Sequence, residues 1–254
     1  MRLSVNLNKV ALVRNSRGGD SPNVVEAART VLAAGAGGIT VHPRPDQRHA
    51  RPDDVFALAG LLKDYPDIEF NIEGNPYAGP RDNGYPGFDA LIEEARPHQA
   101  TLVPDSDSQL TSDHGFDLSG DNAALIEKIR RYQAVGARVS LFMDPDPEQI
   151  DRVPATGADR IELYTGPFAE TVARRGPGHG ASLASFELYR EASRHAVRLG
   201  LGVNAGHDLD LDNLPLFSQI VEVAEVSIGH ALISTALDRG LTATVRAFLA
   251  AIEA

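Results

Sequence analysis

Cysteine is missing from all 254 residues. That excludes disulfides, thiolate metal ligands and a cysteine nucleophile, and it fits a reducing compartment. Tryptophan is missing as well, and aromatic residues make up 6% of the chain against 43% for the hydrophobic set. The core must therefore be built of Ala, Val, Leu and Ile, the usual filling of strands covered by helices. The chain opens Met1-Arg-Leu-Ser-Val-Asn6 with no apolar run of signal-peptide length, and no later window is long enough to span a membrane. A soluble, cytoplasmic protein with no membrane partner is expected. No Pro-, Gly- or Ser-rich linker divides the sequence, so residues 1–254 are expected to form a single domain. Positive charge is in short supply: 24 Lys and Arg face 35 Asp and Glu, a formal charge of −11. This argues against a nucleic-acid partner, whose phosphates would be repelled. Lysine is scarcest, with only Lys9, Lys63 and Lys128 beside 21 arginines. The arginine preference suits fixed anion contacts, and a GC-rich genome would produce it equally.

What is present is an alternation. Short β-branched runs at 3–6, 38–41, 69–73, 99–103, 138–143, 160–164, 202–205 and 225–228 read as strands. Between them lie helical patterns at 23–34, 53–62, 88–95, 122–134, a short one from Pro147, 185–199 and 212–221. Residues 8–20 read as a polar loop, with Ser21-Pro22 as cap and first residue of the helix that follows. Gly35, Gly136, Gly157 and Gly200 each end a helix a few residues before a strand, where a left-handed turn is needed. Eight strands alternating with helices predict a (β/α)8 TIM barrel with extra helices, a doubly wound open sheet being the other arrangement of the same pattern. Two connections, 74–87 and 165–184, are long. The second carries Arg174-Arg-Gly-Pro-Gly-His-Gly180 and reads either as a hinged lid or as an ordinary loop.

Chemistry concentrates where strands end. After Ile39-Thr-Val41 comes His42, and Pro43 and Pro45 then stiffen a turn that presents Arg44, Arg48 and His49. Guanidinium forks and imidazoles so close together suit a phosphorylated substrate, or form a solvated basic loop. At or just past the other strand ends stand Asn6, Glu73, Val103-Pro104, Asp144, Tyr164-Thr165, His207 and Gly229-His230, and the mouth of a barrel is where catalytic groups converge. Glu73 ends an apolar strand, where desolvation would raise its pKa toward that of a general base; pairing with Arg44 would lower it instead. Gly229 and His230 fit an anion site or a plain helix cap. A metal centre made from His42, His49, His207 and His230 is disfavoured, since no His-x-His or His-Glu-x-x-His spacing occurs. Lys9 near the mouth raises a Schiff-base lyase, against the simpler reading of an ion-pairing lysine.

Several stretches carry a resemblance. Leu12-Val-Arg-Asn-Ser-Arg17, Gly38-Ile-Thr-Val-His42 with Arg44, Asp46, Arg48 and His49, Leu102-Val-Pro104, Val139-Ser-Leu-Phe142, Val203-Asn-Ala-Gly-His207 and Ile228-Gly-His230 follow in the order of known signatures. Across nearly the whole chain the sequence resembles the pyridoxine 5′-phosphate synthase family of the deoxyxylulose-phosphate-dependent route to vitamin B6. The resemblance implies a (β/α)8 barrel assembled as an octamer. It also implies condensation of 1-deoxy-D-xylulose 5-phosphate with 3-amino-2-oxopropyl phosphate to pyridoxine 5′-phosphate, phosphate and water, with no metal or organic cofactor. Carried over by position, His42 and Glu73 are the proton acceptors and His207 the donor. Asn6, Arg17, Gly229 and His230 contact the amino-ketone phosphate, and Arg44, His49 and Thr111 the deoxyxylulose phosphate. Departures from the family pattern are Asn8-Lys9 for Asp-His, Tyr164 for His, Asp208 for Gly, and Asp105-Ser-Asp107 for a basic stretch. Asn8 and Lys9 are expected to keep a substrate-contacting role, and Asp208 to contribute its backbone.

Overall fold

The computed structural model describes residues 1–253. The element order is β1 (Arg2–Asn6), α1 (Asn8–Asn15), α2 (Val24–Ala33), β2 (Gly38–Val41), α3 (Pro52–Leu62), β3 (Glu69–Gly74), α4 (Phe88–Ala95), β4 (Gln99–Leu102), α5 (Ala123–Ala134) and β5 (Arg138–Met143). It continues with α6 (Pro147–Ile150), α7 (Val153–Thr156), β6 (Arg160–Tyr164), α8 (Gly166–Arg175), α9 (Gly180–Arg198), β7 (Gly202–Gly206), α10 (Leu214–Phe217), β8 (Val223–Ile228), α11 (His230–Arg239) and α12 (Leu241–Ile252). All eight strands are parallel, each paired with its sequence neighbour, and β8 returns to pair with β1 through Ser4 opposite Ser227. That closure makes a (β/α)8 barrel and excludes the open sheet. Gly35, Gly136, Gly157 and Gly200 all take positive φ, between 82° and 110°, as helix ends require.

The strands alternate in character. Leu3, Val5, Ile39, Val41, Ile72, Ala100, Leu102, Leu141, Ile161 and Val226 are buried and belong to one hydrophobic cluster with the helices. Their alternate neighbours hydrogen-bond to one another: Ser4 Oγ to Thr40 Oγ1 at 2.7 Å, and Thr101 Oγ1 to Asn71 Oδ1 at 3.0 Å and Glu162 Oε2 at 3.4 Å. Asn204 Nδ2 donates to Gln99 Oε1 at 3.4 Å. β4 is not adjacent to β6 or β7 in the sheet, so the last two bonds must cross the barrel interior. The inside of this barrel is polar where branched apolar side chains are the rule.

Four expectations are corrected. Residues 8–15 form a helix within the expected loop, because Val10, Ala11 and Arg14 share one buried face and Arg14 forms an ion pair with Asp54 of α3, its Nη2 lying 2.8 Å from Oδ2. The cap of α2 is Asn23, whose Oδ1 accepts from the N–H groups of Val25 and Glu26 at 2.9 and 3.0 Å; Ser21 and Pro22 lie outside the helix. The 165–184 segment is mostly helical where a long connection was expected. Pro167 starts α8, Phe168, Ala169 and Val172 anchor it, Arg174 pairs with Glu170 on the same helix, and α9 already begins at Gly180. The helix expected over 212–221 shrinks to the single turn of α10, started by Pro215, and β8 begins two residues early at Val223. Among the described residues no helix is long and apolar enough to cross a membrane.

Candidate active site

The polar side chains at the strand ends meet in a cavity of about 330 Å³. Asn6, Asn8, Lys9, His42, Arg44, His49, Glu73, Thr111, His207, Asp208, Gly229 and His230 all line it. Arg17 does not. It is exposed in the turn after α1, where its N–H donates to the Arg14 carbonyl at 3.2 Å.

Short side chains hold the strand ends together. Asn6 Oδ1 accepts from the N–H of Asn8 at 3.0 Å, and Asn8 Oδ1 accepts from the N–H of His42 at 2.9 Å, so α1 is tied to both β1 and β2. Asn6 Nδ2 then reaches across to Glu73 Oε2 at 3.3 Å. Asn15 Nδ2 donates to the carbonyls of Gln47, Arg48 and His49 at 2.8–3.2 Å, fixing the basic turn after β2.

Glu73 is raised from the ordinary 4.5 to about 7, chiefly by burial. The nearby Asp105 pushes it further up, while the Ser227 hydroxyl at 3.4 Å, His207 and Arg44 oppose the shift. The rival reading, an ion pair of Glu73 with Arg44, is therefore corrected. Arg44 Nη2 is 2.6 Å from Asp105 Oδ2, and the same oxygen accepts from Ser112 Oγ at 2.8 Å. Asp105 absorbs the guanidinium and leaves Glu73 without an arginine partner. His42 Nδ1 stands 3.8 Å from Glu73 Oε2 and its Nε2 3.9 Å from Asp105 Oδ2. Burial, then Arg44, His49 and Arg48, hold His42 well below the usual imidazole range, and burial with Lys9 and the same arginines brings His49 to about 4. Both rings are thereby held in the neutral form, each with one unprotonated ring nitrogen. Lys9 is itself lowered by burial and by Arg48 and Arg44, while Asp208 opposes that shift.

His207 is held from several sides. Its Nε2 is 2.8 Å from Thr111 Oγ1 and its Nδ1 2.7 Å from Asp208 Oδ2. The Tyr164 ring lies edge-on at 5.2 Å between centroids. His207 and Asp208 both adopt positive φ, 88° and 60°, a conformation costing non-glycine residues on the order of 1 kcal/mol each. The Thr165 hydroxyl clamps this backbone by donating to the carbonyls of Gly206, at 2.7 Å, and His207. At the end of the neighbouring strand β8, a β-carbon on Gly229 would sit a tight 3.1 Å from Asn6 Cβ.

Sequence reasoning missed Glu162, Ser227, Phe142 and the pairing of Asp105, all of which border or support the cavity. Glu162 is buried on β6, and burial, then Glu73 and Glu225, raise it well above the carboxylate range. Its signal was the period of two: it precedes Tyr164 by two and so shares the inward face. Gly206 is glycine because a β-carbon would collide with Glu162 Oε1. No group of three His, Asp or Glu side chains among the described residues is placed to hold a metal ion.

Fold and cavity together are those of (β/α)8-barrel enzymes, with titratable groups gathered at the C-terminal ends of the strands. The chain belongs to the family of the pyridoxal phosphate biosynthesis protein PdxJ, whose model matches residues 3–254. A protein of Xanthomonas campestris pv. campestris (strain B100) named pyridoxine 5′-phosphate synthase is 56% identical over 251 residues, covering 98% of this chain and 95% of the relative. One of Albidiferax ferrireducens with the same name is 54% identical over 253 residues, 99% and 97% of the two chains. Among solved structures, a protein from Aquifex aeolicus VF5 aligns with a TM-score of 0.65 at 16% identity, over 99% of this chain and 93% of that one. A 4-hydroxy-2-oxoglutarate aldolase aligns at 0.60 and 17%, over 99% and 94%. Those structural likenesses bear on the fold alone.

Proposed function

We propose that this chain is a pyridoxine 5′-phosphate synthase, condensing 1-deoxy-D-xylulose 5-phosphate with 3-amino-2-oxopropyl phosphate to pyridoxine 5′-phosphate with release of phosphate and water. The observation that carries the reading is the pairing of a carboxyl at about 7 with a neutral imidazole 3.8 Å away, inside a cavity edged by cations. Joining an amine to a ketone, eliminating phosphate and closing an aromatic ring is a chain of proton transfers, and groups poised near the working pH perform it best. His42 and Glu73 accept protons and His207 donates one. Carbon-bound protons are removed toward the Glu73–His42 pair, in which the Glu73 carboxyl at about 7 is partly ionised at the working pH and the His42 ring beside it is neutral. His207, across the cavity, returns protons to oxygen leaving groups.

Two anion sites accompany these groups. Gly229 and His230 open α11, whose first turn directs backbone N–H groups toward the cavity end of the barrel, and with Asn6 they suit the amino-ketone phosphate. Arg17 joins that site only if the exposed turn after α1 is repositioned. Arg44, His49 and Thr111 suit the deoxyxylulose phosphate, with Asn8, Lys9 and the backbone of Asp208 between the two. No cofactor enters the scheme, and the octamer and cytoplasmic location of the resembled family belong to the same reading. Incubating purified protein with both phosphates and following pyridoxine 5′-phosphate by mass spectrometry tests it; product is expected only with both substrates, and its absence would overturn the assignment.

A further inference from the structure

Asp208 lines the cavity, yet its carboxylate is turned onto the neighbouring histidine, Oδ2 lying 2.7 Å from His207 Nδ1. The two residues carry consecutive positive φ values, 88° and 60°, and the Thr165 hydroxyl holds this strained backbone through the carbonyls of Gly206 and His207, on either side of the His207 α-carbon. Asp is one of the few side chains that tolerates this left-handed conformation. Its carboxyl is also kept below its ordinary range, first by the His207 hydrogen bond and with help from His230 and Lys9, so it remains ionised and can only accept.

We infer that Asp208 is a positioning residue that fixes the proton of His207 on Nδ1 and so presents Nε2 to the substrate. An ionised carboxylate has no hydrogen to give, so Nδ1 must carry one. Nε2 then faces Thr111 Oγ1 at 2.8 Å, accepting from the hydroxyl when the ring is neutral and donating when it is protonated. The Tyr164 ring packs edge-on against the imidazole as well. The arrangement performs the task that a carboxylate performs for the histidine of hydrolase triads, built from sequence neighbours instead of distant residues. It assigns the Asp208 side chain to His207 and leaves only its backbone for substrate. The inference deepens the proposed function and takes from it the role of His207 as proton donor.

The test uses the full-length protein labelled with ¹⁵N at histidine. In the wild type the neutral His207 ring is expected to show a protonated Nδ1 and an unprotonated Nε2. Asp208→Asn keeps the shape and the tolerance of positive φ but offers both donor and acceptor, so a mixture of tautomers is expected. Asp208→Gly removes the carboxylate while relieving the backbone, which guards against misfolding. In both variants kcat is expected to fall about tenfold or more with KM for either phosphate changed less than about threefold, since orientation of the proton donor is lost and binding is not. An unchanged tautomer in both variants, or a rise in KM with kcat intact, would overturn the inference. If the wild type shows the Nδ1 tautomer but makes no product, the positioning stands and only the function on which its catalytic meaning rests has failed.

Discussion

The two faces of the same eight strands are built to opposite rules. Outward, Leu3, Val5, Ile39, Leu141 and Ile161 are fully buried against helices, and each contributes ~1.5–3 kcal/mol by leaving water. Inward, Ser4, Thr40, Asn71, Thr101, Glu162 and Asn204 are just as buried but apolar contact is replaced by hydrogen bonds, several of them 3.3–3.5 Å long. Such bonds give a net ~1 kcal/mol at best, and a carboxyl without a strong donor gives less than nothing when charged. The outer face therefore carries the stability. The inner face spends some of it to keep Glu73 and Glu162 in surroundings where their protons are held unusually tightly.

The sharpest way to break this contrast is Glu73→Gln. The amide keeps the shape and loses the base, so kcat is expected to fall by about a hundredfold or more with little change in substrate affinity. Stability should move the other way. Because the folded state holds this proton more tightly than the unfolded chain, the group stabilises fully below its ordinary 4.5 and that contribution is lost as pH rises through about 7. The variant escapes the loss. Thermal unfolding should show a gain on the order of 2 kcal/mol near pH 8 that shrinks toward zero near pH 4.

On the outer face, Leu141→Ala should cost about 2–5 kcal/mol in urea unfolding while leaving kcat/KM within about twofold, since it opens a cavity on the side of the strand turned away from the site. A large loss of activity in a folded variant would mean that the two faces are not separable. Thr101→Val tests the inner network more gently. It removes the hydroxyl shared by Asn71 and Glu162 without changing volume, and about 1–3 kcal/mol should be lost through the partners left unpaired. A smaller effect, less than about tenfold in activity, is expected for Lys9→Arg, because Lys9 supplies charge at the cavity wall. Its lowered pKa is also what an imine-forming lysine needs, and borohydride trapping of a ketose-phosphate adduct on Lys9 would show that it acts covalently.

Strands were readable because β-branched runs are short, regular and bounded by glycine; the run at 138–143 and the helix at 88–95 agree with β5 and α4 residue for residue. The helix α1 was hidden by its composition. Asn8, Lys9, Arg14 and Asn15 look like loop until the partner of Arg14, forty residues on in α3, is known. The pattern at 212–221 misled in the other direction, since only one turn of it, Leu214–Phe217, is helical. Most of the candidate site was legible because strand ends in a barrel converge whatever their separation in the chain. Asp105 and Glu162 escaped as partners because their contacts, Arg44 and Thr101, lie 61 residues away in each case, and only closure of the barrel brings them together.

One measurement reaches the heart of the contrast: a carbon-13 NMR titration of the Glu73 carboxyl in the free enzyme, assigned by comparison with Glu73→Gln. A midpoint near 7 is expected if burial in the polar barrel holds this proton at the working pH. A midpoint near the ordinary 4.5 would mean that Glu73 is solvated or paired like a surface carboxylate, and the general-base assignment would fall with it.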